Sequence, residues 1–116
     1  MEYGADVNKE DRDGETPLFI VCEKGHESIL KYLIKYEADI NKVNKYNETS
    51  LFTACKNGNL NIVKYLIELG LDINQENENG ETPLYDACYN GHENIVKYLV
   101  ELGAPINKKN RDGETP

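Results

Sequence analysis

The sequence predicts an all-α solenoid, in which pairs of short helices stack side by side and are joined by long loops. Three observations predict this fold. First, four threonines recur at an interval of 33 residues: Thr16, Thr49, Thr82 and Thr115. Second, the segments around them align at this interval without a gap. Third, their apolar residues follow a helical period. A repeat of this length is typical of stacked supersecondary units.

The first helix of each unit is predicted to start at a Thr-Pro pair. These pairs are Thr16-Pro17 and Thr82-Pro83, and Ser50 replaces Pro after Thr49. We expect the threonine side chain to cap the first free backbone N–H groups, while Pro at the first helical position has no N–H to satisfy. The helices are expected to end at Gly25, Gly58 and Gly91, because glycine readily adopts the left-handed conformation of a helix C-terminus.

The second helix of each unit carries one apolar stripe. In the first unit it consists of Ile29, Leu30, Leu33 and Ile34, which share one face of a helix. The stripe recurs 33 and 66 residues later. The second helices of the second and third units are expected to end at Gly70 and Gly103 as C-caps, and Glu37 occupies the same position in the first unit. Two short helices cannot bury such a stripe alone, so each pair must pack against the next.

The whole chain, residues 1–116, is expected to form a single domain. Residues 1–12 read as the end of a preceding unit, and residues 112–116 as the start of a following one. The three units between them are residues 13–45, 46–78 and 79–111.

Composition and charge limit the classes of partner. The chain is 39% hydrophobic and 29% charged, with a net charge of −8. A chain of this charge repels phosphates, so neither nucleic acid nor an anionic membrane is an expected partner. No apolar run reaches the ~20 residues of a membrane span, and no secretion signal opens the sequence. Three cysteines leave at least one unpaired, which favours an intracellular setting, cytoplasmic or nuclear.

The cysteines occupy one position of the repeat, as Cys22, Cys55 and Cys88. Stacked helices lie about 8–10 Å apart, whereas a disulfide requires Cα atoms within about 7 Å. We therefore expect three free thiols that act as small buried residues. Together with His26 and His92 they also lack the close-spaced pairs of a zinc site.

No catalytic arrangement is found. His26 and His92 follow glycine at a helix junction, without a nucleophile or an orienting partner. The periodic acids Glu15, Glu48, Glu81 and Glu114 are interpreted as solvated hairpin residues. Tyr32, Tyr65 and Tyr98 are interpreted as packing between units. The sequence therefore predicts no enzyme and no cofactor.

Three segments carry a family resemblance: "GETPLYDAC", "GHENIVKYLV" and "GAPIN" in the third unit, with counterparts in the other two. The chain resembles the ankyrin repeat family over its entire length, and the resemblance implies that the loops between the helix pairs are β-hairpins. The resemblance implies a module that binds a protein partner, of unknown identity, through its concave face and hairpin tips. An alternative is a structural spacer or assembly scaffold within a larger multidomain protein, including one with an enzymatic domain elsewhere.

The resemblance places the partner on positions that vary between units. We call these positions the concave surface: Arg12, Asp13, Glu15, Glu23 and Lys24; Lys45, Tyr46, Glu48, Lys56 and Asn57; Glu78, Asn79, Glu81, Tyr89 and Asn90. Tyr46 and Tyr89 are the expected anchors, because an exposed tyrosine offers much contact area for little lost entropy.

Two further expectations concern modification and assembly. "LIKYEADIN" and "LIELGLDIN" resemble segments that asparaginyl hydroxylases accept in ankyrin repeats, which makes Asn41 and Asn74 candidate acceptors. Alternatively, these asparagines hold the hairpin through side-chain to backbone hydrogen bonds. In addition, apolar flanks at both ends predict weak head-to-tail self-association.

Overall fold

Six helices form the regular structure of residues 7–116, which are the residues that the computed structural model describes. They are α1 (Pro17–Lys24), α2 (Glu27–Lys35), α3 (Ser50–Asn57), α4 (Leu60–Glu68), α5 (Pro83–Tyr89) and α6 (Glu93–Glu101). No β-strand is assigned in this range. Residues 1–6, which belong to the predicted end of a preceding unit, lie outside the described residues.

The helices form three pairs that stack in chain order. Within each pair the two helices contact one another, and the first helices form a row in which α1 packs on α3 and α3 packs on α5. The stack is elongated, with extents of 47 × 26 × 21 Å. This arrangement confirms the predicted all-α solenoid.

The helix ends lie close to their predicted positions. Gly25 and Gly58 cap α1 and α3 in the left-handed conformation. The end of α5 comes one residue earlier than predicted, at Asn90, and Gly91 follows it with φ +74°. Glu37 adopts φ +67° where the other two units have glycine. This conformation is unfavourable for a residue with a Cβ, so the first unit is locally strained.

Contrary to the prediction, the threonine side chains do not cap the first helices. Thr16, Thr49 and Thr82 stand at the N-cap positions, but none makes a side-chain capping bond. Their hydroxyls are buried without a hydrogen-bond partner. The backbone carbonyl of each threonine accepts the N–H three residues later, and Pro17 and Pro83 remove one donor from the first turn. Asn59 does cap its helix, since Oδ1 accepts the N–H of Ile62 at 3.1 Å.

Burial of the apolar stripe depends on the neighbouring pair. In the middle pair Ile62, Val63 and Leu66 are completely buried. Ile29 occupies the position of Ile62 in the first pair and is 48% exposed. The same residue type at the same helical position is therefore buried only where a helix pair packs before it.

The loops between the pairs are connected by a series of side-chain hydrogen bonds. Asn77 Nδ2 donates to Glu48 Oε2 at 2.9 Å and to Glu81 Oε1 at 3.1 Å. The same two bonds recur one unit earlier and one unit later. We call this series the Asn–Glu ladder, and its members are Glu15, Asn44, Glu48, Asn77, Glu81, Asn110 and Glu114.

Each ladder asparagine also shapes its own loop. Asn77 Oδ1 accepts the N–H groups of Asn79 and Glu81, both at 2.9 Å. Asp11 occupies the same position before α1, and its Oδ1 accepts the N–H groups of Asp13 and Glu15. The side-chain oxygen therefore forms the turn, and the amide nitrogen connects neighbouring units. Asparagine performs both functions, whereas aspartate can perform only the first.

Replacing Asn77 with Asp is expected to separate these two functions. The variant keeps the acceptor oxygen but loses both donated bonds, and it places a carboxylate between Glu48 and Glu81. We expect the free energy of unfolding to fall by about 2–4 kcal/mol, because Asn77 is buried and both bonds involve charged acceptors. Chemical denaturation measures this loss.

Asn74→Asp is the matched control, because it adds the same charge at an exposed position three residues earlier. An equal loss in the two variants would mean that the added charge, rather than the ladder, is responsible.

Candidate protein-binding surface

The predicted concave surface is largely accessible. Of its fifteen residues, twelve are exposed, and the remaining three, Glu15, Glu48 and Glu81, are half-buried. The residues lie either in the loops before α1, α3 and α5 or at the C-terminal ends of these helices. Because these three helices form one row, the predicted residues lie along the row as a series.

Backbone hydrogen bonds hold the loop tips against one another. The N–H of Lys45 donates to the carbonyl of Asp13 at 2.8 Å, and the N–H of Glu78 donates to the carbonyl of Tyr46 at 2.9 Å. A third bond of this kind, 2.7 Å long, connects Arg111 to Asn79. Each loop closes on itself as well, for example from Asn77 N to Glu81 O at 2.9 Å. The tips are therefore fixed in position relative to one another.

The three glutamates of the surface are not the solvated residues that the sequence predicted. The carboxylate of Glu48 accepts hydrogen bonds from the side-chain amides of Asn44, at 3.4 Å, and Asn77, at 2.9 Å. The carboxylate of Glu81 accepts the corresponding bonds from Asn77 and Asn110. The interpretation was wrong because a hairpin glutamate reaches the asparagine of the next loop only after the units have stacked. These carboxylates connect units, and their hydrogen-bonding capacity is partly used within the chain.

Tyr46 and Tyr89 differ in their surroundings. Tyr46 is 42% exposed, and the Nζ of Lys45 lies 5.1 Å from its ring centroid. Lys45 also pairs with Asp13 at 2.8 Å. Tyr89 is 79% exposed, and its ring stacks on Tyr85 with a centroid distance of 6.3 Å. Both tyrosines thus present a ring to solvent, as the prediction of anchors requires.

Asp86 is a residue that the sequence analysis missed. It is only 8% exposed, and its Oδ2 has no hydrogen-bond partner. Burial is the main cause that raises the pKa of this carboxyl to about 7. The negative charges of Glu48 and Glu81 also raise the pKa, whereas the positive charge of Lys56 lowers it. The sequence contained a signal for Asp86, because the equivalent positions on α1 and α3 carry the uncharged residues Ile20 and Thr53.

The second helices carry a different aromatic series on the opposite side of the stack. Lys31 Nζ lies 5.5 Å from the ring centroid of Tyr65, and Lys64 Nζ lies 5.3 Å from that of Tyr98. Tyr65 and Tyr98 therefore pack between units, as predicted, and each contacts a lysine of the preceding unit. Tyr32 instead contacts Tyr36, at a centroid distance of 4.6 Å.

The cysteines and His92 contact other parts of the stack rather than a site. Cys22, Cys55 and Cys88 are free thiols, as predicted, and burial raises the pKa of each. His92 Nε2 lies 2.8 Å from the carbonyl oxygen of Lys56 and so connects the third pair to the second. Within residues 7–116 no group of His, Cys, Asp and Glu side chains has the arrangement of a metal site. None of the helices in this range is long and apolar enough to span a membrane.

The two candidate hydroxylation sites are exposed. Asn41 and Asn74 each donate a hydrogen bond from their backbone N–H, to Asp39 Oδ1 at 2.9 Å and to Asp72 Oδ1 at 2.8 Å. The aspartate, not the asparagine, therefore forms this turn. Neither asparagine side chain makes a hydrogen bond within the described residues.

Comparisons with known proteins agree along the chain. A family model described as "Ankyrin repeats (3 copies)" matches residues 1–77, and one described as "Ankyrin repeats (many copies)" matches residues 66–116. Protein phosphatase 1 regulatory subunit 27 of Mus musculus is 47% identical over 34 residues. This match covers 29% of the chain and 22% of that protein, so the chain spans about a fifth of its curated relative. None of these matches divides the chain into units, and the unit boundaries remain predictions.

The buried Asp86 generates a prediction about pH. Its pKa is about 7 in the folded chain, compared with an ordinary value of 3.8 for an aspartate in water. Asp86 therefore contributes most to stability below pH 4, and this contribution is lost as the pH rises towards 7. Asp86→Asn should raise the free energy of unfolding at pH 8 by about 2–4 kcal/mol and change it little at pH 4.

Urea unfolding at several pH values measures this difference. Glu78→Gln removes the same charge from an exposed loop position and reports the effect of net charge. A difference between Asp86→Asn and the wild type that does not depend on pH would contradict the interpretation of Asp86.

Proposed function

The chain belongs to the ankyrin repeat family, and we propose that it is a non-catalytic module that binds another protein through its concave surface. The observation that carries this proposal is the fixed series of exposed loop tips, joined by backbone hydrogen bonds of 2.7–2.9 Å. A surface that is already ordered loses little conformational entropy on binding, and this favours affinity.

The variation of residues along the surface supports the same proposal. At equivalent positions the three units carry Glu23, Lys56 and Tyr89, whereas the buried framework repeats almost unchanged. Exposed positions of a repeat can change without disturbing the core. A row of different side chains on one rigid surface can recognise a protein segment with several different contacts.

The comparisons support a module of regulatory or adaptor type. Ankyrin repeats are generally protein-interaction modules, and the mouse relative is by its name a regulatory subunit. We extend this to the present chain as a proposal, together with an intracellular location and a protein partner rather than nucleic acid. The net charge of −8 supports the exclusion of nucleic acid.

Tyr46→Ala and Tyr89→Ala should weaken partner binding while leaving the fold nearly intact. Both side chains are exposed, so their removal leaves no cavity, and losses of about 1–3 kcal/mol in binding are typical of aromatic anchors. The measurement is affinity capture from a cell extract with wild type and variants, read by quantitative mass spectrometry, followed by affinity measurement with the captured partner.

Two controls define the outcome. Tyr36→Ala removes a tyrosine of similar exposure, 40%, from outside the surface and should leave capture unchanged. Leu66→Ala removes a fully buried side chain and should lower the free energy of unfolding by about 2–5 kcal/mol. If no protein depends on Tyr46 or Tyr89, the alternative of a spacer or assembly scaffold is favoured.

We also propose that Asn41 and Asn74 are accessible to an asparaginyl hydroxylase. Their side chains are exposed, and they do not hold the turns, which Asp39 and Asp72 form instead. Incubation with such a hydroxylase and its cofactors, followed by peptide mass mapping, should add one oxygen to either peptide. Unmodified peptides from both sites would end this proposal.

Finally, we propose weak head-to-tail self-association through the apolar flanks. Ile29 on α2 and Val100 on α6 are exposed, whereas the apolar stripe of the middle pair lies almost entirely inside the stack. Sedimentation velocity should show a sedimentation coefficient that rises with concentration, and Val100→Glu should abolish the rise. A concentration-independent monomer would contradict this proposal.

A further inference from the structure

Three asparagines of the chain are followed directly by glycine: Asn57, Asn79 and Asn90. This pair of residues favours deamidation, a reaction that needs no enzyme and no cofactor, because glycine has no side chain to shield its own backbone nitrogen. That nitrogen can attack the side-chain carbonyl carbon of the asparagine. The three sites share this intrinsic reactivity, so the fold determines which of them reacts.

Two of the three sites are held by the ends of packed helices. Asn57 is the last residue of α3, and Asn90 is the C-cap of α5. The side-chain Nδ2 of each donates to the carbonyl oxygen four residues earlier, at 2.9 Å. The N–H of the following glycine donates to a helix carbonyl as well, at 3.1 Å in both cases. Reaction at either site therefore requires the last turn of a packed helix to unwind.

The third site, Asn79, lies at the tip of the loop before α5 and is exposed. Its side chain makes no hydrogen bond within residues 7–116. The bonds that hold the backbone here belong to loops: Gly80 N–H donates to the carbonyl of Asn77 at 3.0 Å, and Arg111 N–H donates to the carbonyl of Asn79 at 2.7 Å. Local opening of the tip therefore frees the attacking nitrogen while the helices stay packed.

Deamidation at Asn79 exchanges ammonia for water. The backbone nitrogen of Gly80 loses its proton and bonds to Cγ of Asn79, while the Cγ–Nδ2 bond breaks and Nδ2 leaves with that proton as ammonia. Water then opens the resulting succinimide ring at one of its carbonyl carbons. Attack at Cγ gives aspartate, whereas attack at the backbone carbonyl carbon gives isoaspartate, in which the main chain runs through Cβ and Cγ. No electrons are gained or lost.

The first unit shows how an aspartate fits this position. Asp13 and Gly14 occupy the positions of Asn79 and Gly80, and Gly14 has φ +76° where Gly80 has φ +74°. The carbonyl of Asp13 accepts the N–H of Lys45 at 2.8 Å, as the carbonyl of Asn79 accepts that of the residue equivalent to Lys45. The carboxylate of Asp13 also pairs with Lys45 Nζ, at 2.8 Å. The aspartate product is therefore compatible with the turn.

The isoaspartate product is not compatible with the turn, because it lengthens the main chain between Asn79 and Gly80. This bond lies inside the loop that Asn77 closes. The N–H of Asn77 donates to the carbonyl of Glu81 at 2.9 Å, and the N–H of Glu81 donates to Asn77 Oδ1, also at 2.9 Å. An additional main-chain atom between these two residues displaces their hydrogen-bonding groups from one another. Asn77 is also a member of the Asn–Glu ladder, so the change reaches the contact between units.

We propose that Asn79 is a site of spontaneous deamidation, whose aspartate product preserves the loop tip and whose isoaspartate product opens the turn that Asn77 closes. The proposal goes beyond the proposed function and does not require a partner, although Asn79 belongs to the concave surface.

The test compares the three Asn-Gly sites within one chain. The folded chain is incubated at pH 8, digested at mildly acidic pH and mapped by mass spectrometry with electron-transfer fragmentation, which distinguishes isoaspartate from aspartate. We expect Asn79 to react at least about tenfold faster than Asn57 and Asn90, because only its site opens locally. In urea the protection is removed, and the three rates should agree within about threefold.

Two variants and the isolated product complete the experiment. Asn79→Gln keeps an amide but requires a larger ring, so position 79 should remain unmodified. Asn79→Asp is the reference for the aspartate product, and it should leave hydrogen exchange of the Glu81 amide unchanged. The isoaspartate fraction, isolated by chromatography, should lose the protection of that amide. Equal rates at the three sites in the folded chain, or an isoaspartate fraction in which Glu81 remains protected, would each overturn the proposal.

Discussion

The structure depends on burial between neighbouring helix pairs. Helices of seven to nine residues are too short to be stable alone, and each pair leaves one apolar flank for the next pair to cover. Ile62 is fully buried, while Ile29, at the equivalent position in the first pair, is about half exposed. The stabilising interaction therefore belongs to the interface between pairs, so loss of one interface weakens both of the pairs that share it.

The Asn–Glu ladder transmits this stacking to the functional surface. Packing of α1, α3 and α5 sets the spacing of the loops, and at that spacing one asparagine amide reaches two glutamates. The ladder and the backbone bonds from Lys45 and Glu78 then hold the tips in line. The proposed binding surface is consequently a property of the stack, since an isolated helix pair would lack one of the two glutamate partners of each bridging asparagine.

Much of the fold could be predicted from the sequence because its signals are local. Thr-Pro pairs and glycines mark helix ends, and the apolar stripe identifies the buried face. The roles of Glu48 and Glu81 could not be predicted, because their partners lie 29 residues along the chain and come into reach only after stacking. The threonines do stand at the N-cap positions that the sequence predicts, but their hydroxyls are buried and make no hydrogen bond. Asp86 was overlooked because its significance lies in its difference from Ile20 and Thr53, and not in any motif.

Native-state hydrogen exchange at the loop tips tests the central claim most directly, which is that stacking holds the binding surface rigid. The amides of Lys45 and Glu78 donate to the preceding loop and should open only when the stack opens. We predict that their opening free energies lie within about 1 kcal/mol of those of the amides in α4, the helix that carries Leu66. Exchange of Lys45 and Glu78 at nearly the rate of an unstructured peptide, with α4 still protected, would show that the tips move independently and would contradict the account.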